Sequence, residues 1–261
     1  MTLNPESDLL IPVTLFSECR YHLAQFRTTN INMNPKILVI IPAYNEEHSI
    51  GKVIDDIPEG LVSGVVVVNN GSTDNTVQVA ESHGATVIDE PGRGYGHACL
   101  RGIEYAKILS KCPDIIVFLD GDYSDYPEEM MALVRPILEQ GYDMVIGSRK
   151  LGKSERGAML PQARFGNALA TTLIKWLYGV KFTDLGPFRA INFEKLLELQ
   201  MTDTTFGWTV EMQIKAAKSG YRCAEVPVSY RKRIGVSKIT GTLSGSFKAG
   251  YRILWTIFKL L

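Results

Sequence analysis

Three observations predict an α/β protein: a mostly parallel sheet flanked by helices, followed by a helical tail. Short, wholly apolar runs alternate with amphipathic stretches of helical length between residues 37 and 146. Strands buried on both faces read as continuous apolar runs, and alternation at this spacing means parallel neighbours joined by right-handed crossovers. Four successive runs end in polar or glycine-rich loops, which such a sheet gathers on its carboxyl edge. A chain of 261 residues, 45% hydrophobic and 21% charged, is large enough for one full-sized core of this kind.

The first strand is Ile37-Leu38-Val39-Ile40-Ile41, ending at Pro42-Ala43-Tyr44-Asn45-Glu46-Glu47. Ile50, Val53 and Ile54 then mark a helix face. Val65 to Val68 form the second strand, closed by Asn69-Asn70-Gly71-Ser72-Thr73-Asp74, and a helix is expected from about Asn75 to Ser82. A short strand, Thr86 to Ile88, leads into Glu90-Pro91-Gly92-Arg93-Gly94-Tyr95-Gly96, which opens a helix running to Leu109. That loop lacks the Walker and full dinucleotide spacings, so alone it is a weak nucleotide signal beside a plain left-handed turn. The fourth strand is Ile115 to Leu119, followed by a helix at about Glu128 to Gln140 and a strand at Met144 to Ile146.

Beyond Gly147-Ser148-Arg149-Lys150 the pattern loosens. Residues 150–160 read as a charged loop, Pro161 to Tyr178 as a helix carrying Arg164 and Asn167, and Thr183 to Arg189 as a turn into a strand. A helix at Trp208 to Ser219 and an extended Ala224 to Val228 follow. Arg231-Lys232-Arg233, Gly235-Val236-Ser237-Lys238 and an aromatic helix from about Leu243 complete the chain. The expected division is an extension over 1–34, one α/β domain over 35–241 and a C-terminal amphipathic helix over 242–261. Met33-Asn34-Pro35 leads straight into the first strand, so Met33 as a native start is an equal alternative to the extension.

Formal net charge is zero, with 28 basic and 28 acidic side chains, which removes any global argument for nucleic acid. Cys19, Cys99, Cys112 and Cys223 have no metal-ligand spacing and no dense framework, which points to free thiols in a reducing compartment. No apolar run reaches the roughly 18 residues of a membrane span, and no signal-peptide pattern opens the chain. The expected location is cytoplasmic, peripheral to the inner face of a membrane if the tail helix lies on lipid.

Asp120-Gly121-Asp122 follows the fourth strand directly. Two carboxylates held so close repel unless a cation lies between them. Oxygen ligands suit Mg²⁺ or Mn²⁺, which commonly share carboxylates with substrate phosphates. Taken alone, the same residues equally serve as a polar turn capping the helix that starts near Pro127.

Pro42 to Glu47, the Asn-Gly-Ser-Thr-Asp turn, Asp120-Gly121-Asp122 and Gly147-Ser148-Arg149, each after a strand and in this order, resemble the family 2 glycosyltransferases of GT-A fold. The similarity is greatest to polyprenyl-phosphate (dolichol-phosphate) mannosyl- and glucosyltransferases, and covers about residues 36–240. The resemblance implies a nucleoside-diphosphate sugar, of UDP-glucose or GDP-mannose type, whose hexose passes with inversion to a polyprenyl or dolichyl phosphate. It implies that Pro42, Tyr44, Glu46, Asn70, Asp74, Arg93, Asp120 and Gly121 bind the nucleotide sugar. Asp120 and Asp122 would hold Mg²⁺ or Mn²⁺. Arg149, Arg164, Ser237 and Lys238 would bind acceptor phosphate, with Asp122, Arg149 and Asp184 catalytic.

Two departures bear on specificity. Ser124 stands where relatives often have glutamine beside the metal, and Asn69-Asn70 where they commonly have an aspartate pair. Leu185-Gly186-Pro187-Phe188-Arg189 likewise replaces a Ser-Gly-Phe-Arg ending.

A lipid phosphate is already an anion and needs no strong base, whereas a hydroxyl acceptor requires one, for which Asp184 and Glu211 are the candidates. Arg231 and Lys232 read as solvated charges. His48, His83 and His97 read as surface residues. The aromatic tail from Phe247 to Leu261 reads as a membrane-surface helix or as a core or dimer helix, and an oligomer remains open. Competing readings are a transferase to a glycan or small-molecule hydroxyl and a nucleotide-sugar-binding module without turnover. A nucleotidyltransferase would need a glycine-rich signature after the first strand, which Pro42 to Glu47 does not supply.

Overall fold

The computed structural model describes residues 35–235 and 243–261; the expected extension at 1–34 and the Ser237-Lys238 pair lie outside them. The strands are β1 (Ile37–Ala43), β2 (Gly64–Asn69), β3 (Thr86–Asp89), β4 (Ile115–Phe118), β5 (Met144–Ser148), β6 (Arg189–Asn192) and β7 (Cys223–Pro227). They form one sheet in the order β3-β2-β1-β4-β6-β5-β7. The helices are α1 (Ile50–Asp55), α2 (Thr76–Ser82), α3 (Tyr95–Ile108), α4 (Met130–Gln140), α5 (Pro161–Tyr178), α6 (Phe193–Glu198), α7 (Trp208–Lys218) and α8 (Leu243–Lys259).

The apolar strands are buried on both faces because successive side chains alternate between two cores. Leu38, Ile40, Val66, Val68, Ile116 and Phe118 pack with residues of α3, α5, α7 and α8. Ile37, Val39, Ile41, Val67, Ile115 and Val117 pack against α1, α2 and α4. This double burial explains why β1 and β2 show no polar alternation in the sequence.

From β1 the chain winds outward through β2 to β3, then returns to place β4 on the other side of β1, all four parallel. The winding therefore reverses between β1 and β4, the topological switch point where ligands of open α/β sheets bind. The loop after β1 and the Asp120 turn after β4 both open there.

The expectation of parallel strands holds apart from β6, which runs antiparallel to both β4 and β5. After α5 the chain re-enters the sheet at its carboxyl edge, where Asp184 meets Arg149, so the next strand must run back. β7 is parallel to β5, and its exit carries Tyr230 into isolated bridges with Asp125 and Ser154. Three later segments thereby converge on the same edge as Asp120.

Helix α6 departs from the predicted elements. Asn192 caps it, its side chain accepting from the Lys195 N–H, a recognisable start signal. The tail helix α8 packs on α5 and α7, burying Ala249, Thr256 and Ile257. Cys99 and Cys223 are free thiols, whereas Cys112 is disulfide-bonded, which corrects the expectation of free thiols throughout.

Candidate active site

The carboxylate turn begins where β4 ends. Tyr123 adopts φ 64°, a left-handed conformation uncommon for a bulky side chain. It folds the chain so that the Ser124 N–H donates to Asp122 Oδ1 at 2.9 Å. Asp122 Oδ2 is 2.7 Å from the Arg233 guanidinium, and its carbonyl accepts from the Ile234 N–H at 2.9 Å. Asp120 Oδ1 is shut off from solvent without a hydrogen bond, as is the neighbouring Tyr95 hydroxyl, although each influences the other's ionisation. Burial, then the charge of Asp122, pushes the Asp120 carboxyl up to about 7.

A cleft of ≈ 280 Å³ opens over this turn, lined by Pro42, Tyr44, Glu46, Asn70, Arg93, Asp120, Gly121 and Asp122 among others. Eight residues expected to bind donor or metal are thus brought together. The Arg93 guanidinium lies over the Tyr44 ring at 4.6 Å, a cation–π ledge at one end. Sequence reasoning missed Tyr95 and Phe206 on the cleft wall, and weighed Arg233 only as one of a surplus of basic residues favouring an anionic acceptor. Tyr95 stands inside the glycine loop and Arg233 inside a basic run, both usable signals; Phe206 carries none.

The glycine loop is held by Asn70. Its amide donates to the carbonyls of Gly92 at 2.6 Å and Glu90 at 3.2 Å, and its oxygen accepts from the Gly94 N–H at 2.9 Å. Asn69 similarly donates to Asp89 and accepts from the Ser72 N–H. An aspartate could accept but not donate here, which explains asparagines at these positions. Gly94 and Gly96 let the loop press against the next wall: a Cβ at either would lie 2.3 Å from Thr204 O or 2.1 Å from Asp203 O.

Asp74 does not line the cleft. It accepts from Thr76 and from the Glu47 N–H, and Thr76 in turn accepts from the Glu46 N–H at 2.8 Å. Burial alone would raise its carboxyl, but these bonds hold it below the usual value. Its task is to tie the loops after β1 and β2.

A second cluster flanks the carboxylates. Arg149 grips Asp184 with Nε and Nη2 at 2.9 and 2.7 Å, and its backbone N–H adds a third bond at 2.8 Å. Burial would lower the Arg149 pKa, but the Asp184 carboxylate holds it above its ordinary value. Both Asp184 oxygens are therefore engaged and its side chain is fully enclosed. Glu211 is likewise buried, bonded to Thr202, the Asp203 N–H and Lys215. Neither stands ready as the base expected for a hydroxyl acceptor.

Asp125 is also enclosed, with both oxygens unpartnered, and burial pushes its carboxyl well above the usual range. Arg164 is exposed on the first turn of α5, apart from the cleft. Arg231 corrects the expectation of a solvated charge: it stacks on Tyr123 at 3.4 Å and Tyr126 at 4.1 Å, donating to the Tyr123 and Asp125 carbonyls.

Among the described residues no group of three His, Cys, Asp or Glu side chains is arranged to hold a metal. The Asp120–Asp122 pair nevertheless fits a hard divalent cation. Its donors are carboxylate oxygens and one is enclosed without a partner, while the Arg233 guanidinium now paired with Asp122 would have to give up that oxygen to the cation. Two protein carboxylates completed by phosphate oxygens and water are a usual Mg²⁺ set.

The family model described as Glycosyl transferase family 2 matches residues 38–199. An uncharacterised glycosyltransferase of Mycobacterium tuberculosis is 35% identical over 215 residues, covering 82% of this chain and 94% of the relative. A dolichyl-phosphate hexose transferase of Haloferax volcanii is 34% identical over 213 residues, covering 80% and 89%. An undecaprenyl-phosphate mannosyltransferase of Micrococcus luteus is 30% identical over 228 residues, covering 80% and 90%. Among solved structures, glucosyl-3-phosphoglycerate synthase of Mycobacterium tuberculosis, in complex with Mn²⁺, UDP-glucose and phosphoglyceric acid, superposes with a TM-score of 0.66 at 26% identity. It covers 87% of this chain and 79% of that one.

Proposed function

The chain belongs to glycosyl transferase family 2, and on that premise we propose that it moves a hexose from a nucleoside-diphosphate sugar to a polyprenyl or dolichyl phosphate, inverting the anomeric centre. The observation carrying this reading is a carboxylate pair at the switch point that opens into a nucleoside-sized cleft, beside arginines, with Asp184 and Glu211, the two candidate bases, both held in hydrogen bonds. Relatives named for dolichyl- and undecaprenyl-phosphate acceptors support the lipid phosphate, and the UDP-glucose complex of a structural neighbour supports the donor class.

In this reading the nucleoside lies against Tyr44 and Arg93, under the loop that Asn70 holds. The diphosphate points to Asp120, Asp122 and Arg233. Mg²⁺ or Mn²⁺ held by Asp120 and Asp122 would neutralise charge on the departing diphosphate. An acceptor phosphate oxygen forms the bond to the anomeric carbon as the bond to the diphosphate breaks. The products are a glycosyl phosphodiester and a nucleoside diphosphate, and no proton transfer is needed. Arg149, kept cationic and fixed in direction by Asp184, orients the acceptor phosphate, with Ser237 and Lys238 as further phosphate contacts, while Arg164, apart from the cleft, makes none.

The test is a panel of UDP- and GDP-hexoses with Mg²⁺ or Mn²⁺, offered polyprenyl phosphate or 3-phosphoglycerate. Transfer to polyprenyl phosphate by one donor is expected. Transfer only to 3-phosphoglycerate, or with no donor at all, would overturn the proposal.

A further inference from the structure

We propose that α5 and α8 together form a docking face for an anionic lipid surface, the face through which the protein reaches a membrane-borne acceptor. It deepens the transferase reading and rests on it for its purpose.

Each of these neighbouring helices is apolar on two opposite sides. The inner sides of α5 and α8 bury Ala170 and Ile174, and Ala249 and Ile257. Their outer sides carry aromatic stripes at helical spacing. On α5, Phe165 is 71% and Trp176 81% exposed; on α8, Phe247 is 78% exposed, with Tyr251, Trp255 and Phe258 at half or more. The Tyr178 hydroxyl donates to the Ile257 carbonyl, tying the carboxyl end of α5 to α8. Large apolar side chains grouped in water mark an interaction surface, and Trp and Tyr favour the lipid–water boundary.

Charge identifies the occupant. Residues 161–178 and 243–261 contain no Asp or Glu, in a chain whose total charge is zero. Arg164 and Lys175 on α5, and Lys248 and Lys259 on α8, are exposed, while Arg252 turns inward to Asp203 at 3.0 Å. Aromatic stripes edged only by cations complement anionic head groups. A second copy of the chain would instead meet the face with its own cations, since a two-fold contact sets a patch against itself. No helix among the described residues is long and apolar enough to cross a membrane, so the contact is lateral.

Tryptophan fluorescence isolates the face, because Trp176 and Trp255 lie on the stripes and the remaining Trp208 is fully buried. The full chain is mixed with phosphatidylcholine vesicles with or without phosphatidylglycerol, in the absence of donor and acceptor. The expected result is co-sedimentation with the anionic vesicles and a blue-shifted emission, both weakened by high salt. The Trp176→Ser/Trp255→Ser variant should bind about tenfold more weakly with an unchanged melting curve. Three outcomes would overturn the proposal: wild type left in the supernatant, equal binding by the variant, or a stripe-dependent dimer without vesicles. Because the measurement uses neither substrate, failure of docking and failure of the transferase reading are read separately.

Discussion

The side-chain amide of Asn70 both donates to and accepts from the glycine loop, and a carboxylate can only accept. Asn70→Asp should therefore set a charge against two carbonyls, lowering stability by about 1–3 kcal/mol and weakening nucleoside-diphosphate binding in calorimetry. Asp120 makes a prediction about pH. Its folded pKa of about 7 lies above the ordinary 3.8, so between those values the folded state holds a proton that the unfolded chain has released. Stability from this group is thus greatest below pH 4 and is lost as pH rises towards 7, by on the order of 4 kcal/mol in the absence of metal. Asp120→Asn should melt increasingly above wild type from about pH 5 to about pH 8, and Mn²⁺ should narrow the gap by stabilising wild type alone. Asp184 is a positioning residue, so Asp184→Asn should lower turnover and stability, the latter by about 3 kcal/mol, without moving the pH optimum. A displaced optimum would identify it as a base.

At the scale of elements, strands and glycine loop are linked through one short wall. The Asp203 carbonyl lies against Gly96, while the Asp203 carboxylate accepts from Arg252 and Thr256 of α8. The tail helix and the donor loop therefore share a support. Gly96→Ala would drive a methyl into that backbone, and a loss of about 1–3 kcal/mol is expected, measurable by thermal melt, with weaker nucleotide binding. The parallel strands were legible because burial on both faces leaves unbroken apolar runs, as in Ile37 to Ile41. Reversal of β6 was not legible: its direction depends on where α5 delivers the chain, a tertiary matter invisible in Arg189-Ala190-Ile191-Asn192. Helix α6 is short, and its Asn192 cap was its main signal.

Across the whole molecule, the winding reversal between β1 and β4, together with the antiparallel β6, brings four separated segments to one edge. The Asp120–Asp122 pair could be read from its own residues because strand ends are where such sheets bind ligands, whereas Tyr44 was reached through the motif resemblance. Phe206, and the tying roles of Asp74 and Asp184, could not be read from the sequence, since they depend on contacts between distant segments. The outward stripes of α5 were equally hidden: periodicity reveals one apolar face and does not say which side meets the core. The most direct test of the account is transfer of labelled hexose from its nucleotide to polyprenyl phosphate, with the product's anomeric configuration read by NMR. A lipid-extractable glycosyl phosphate of opposite configuration to the donor, absent with Asp122→Ala, is the predicted result. Retained configuration, or label that never enters the lipid phase, would contradict it.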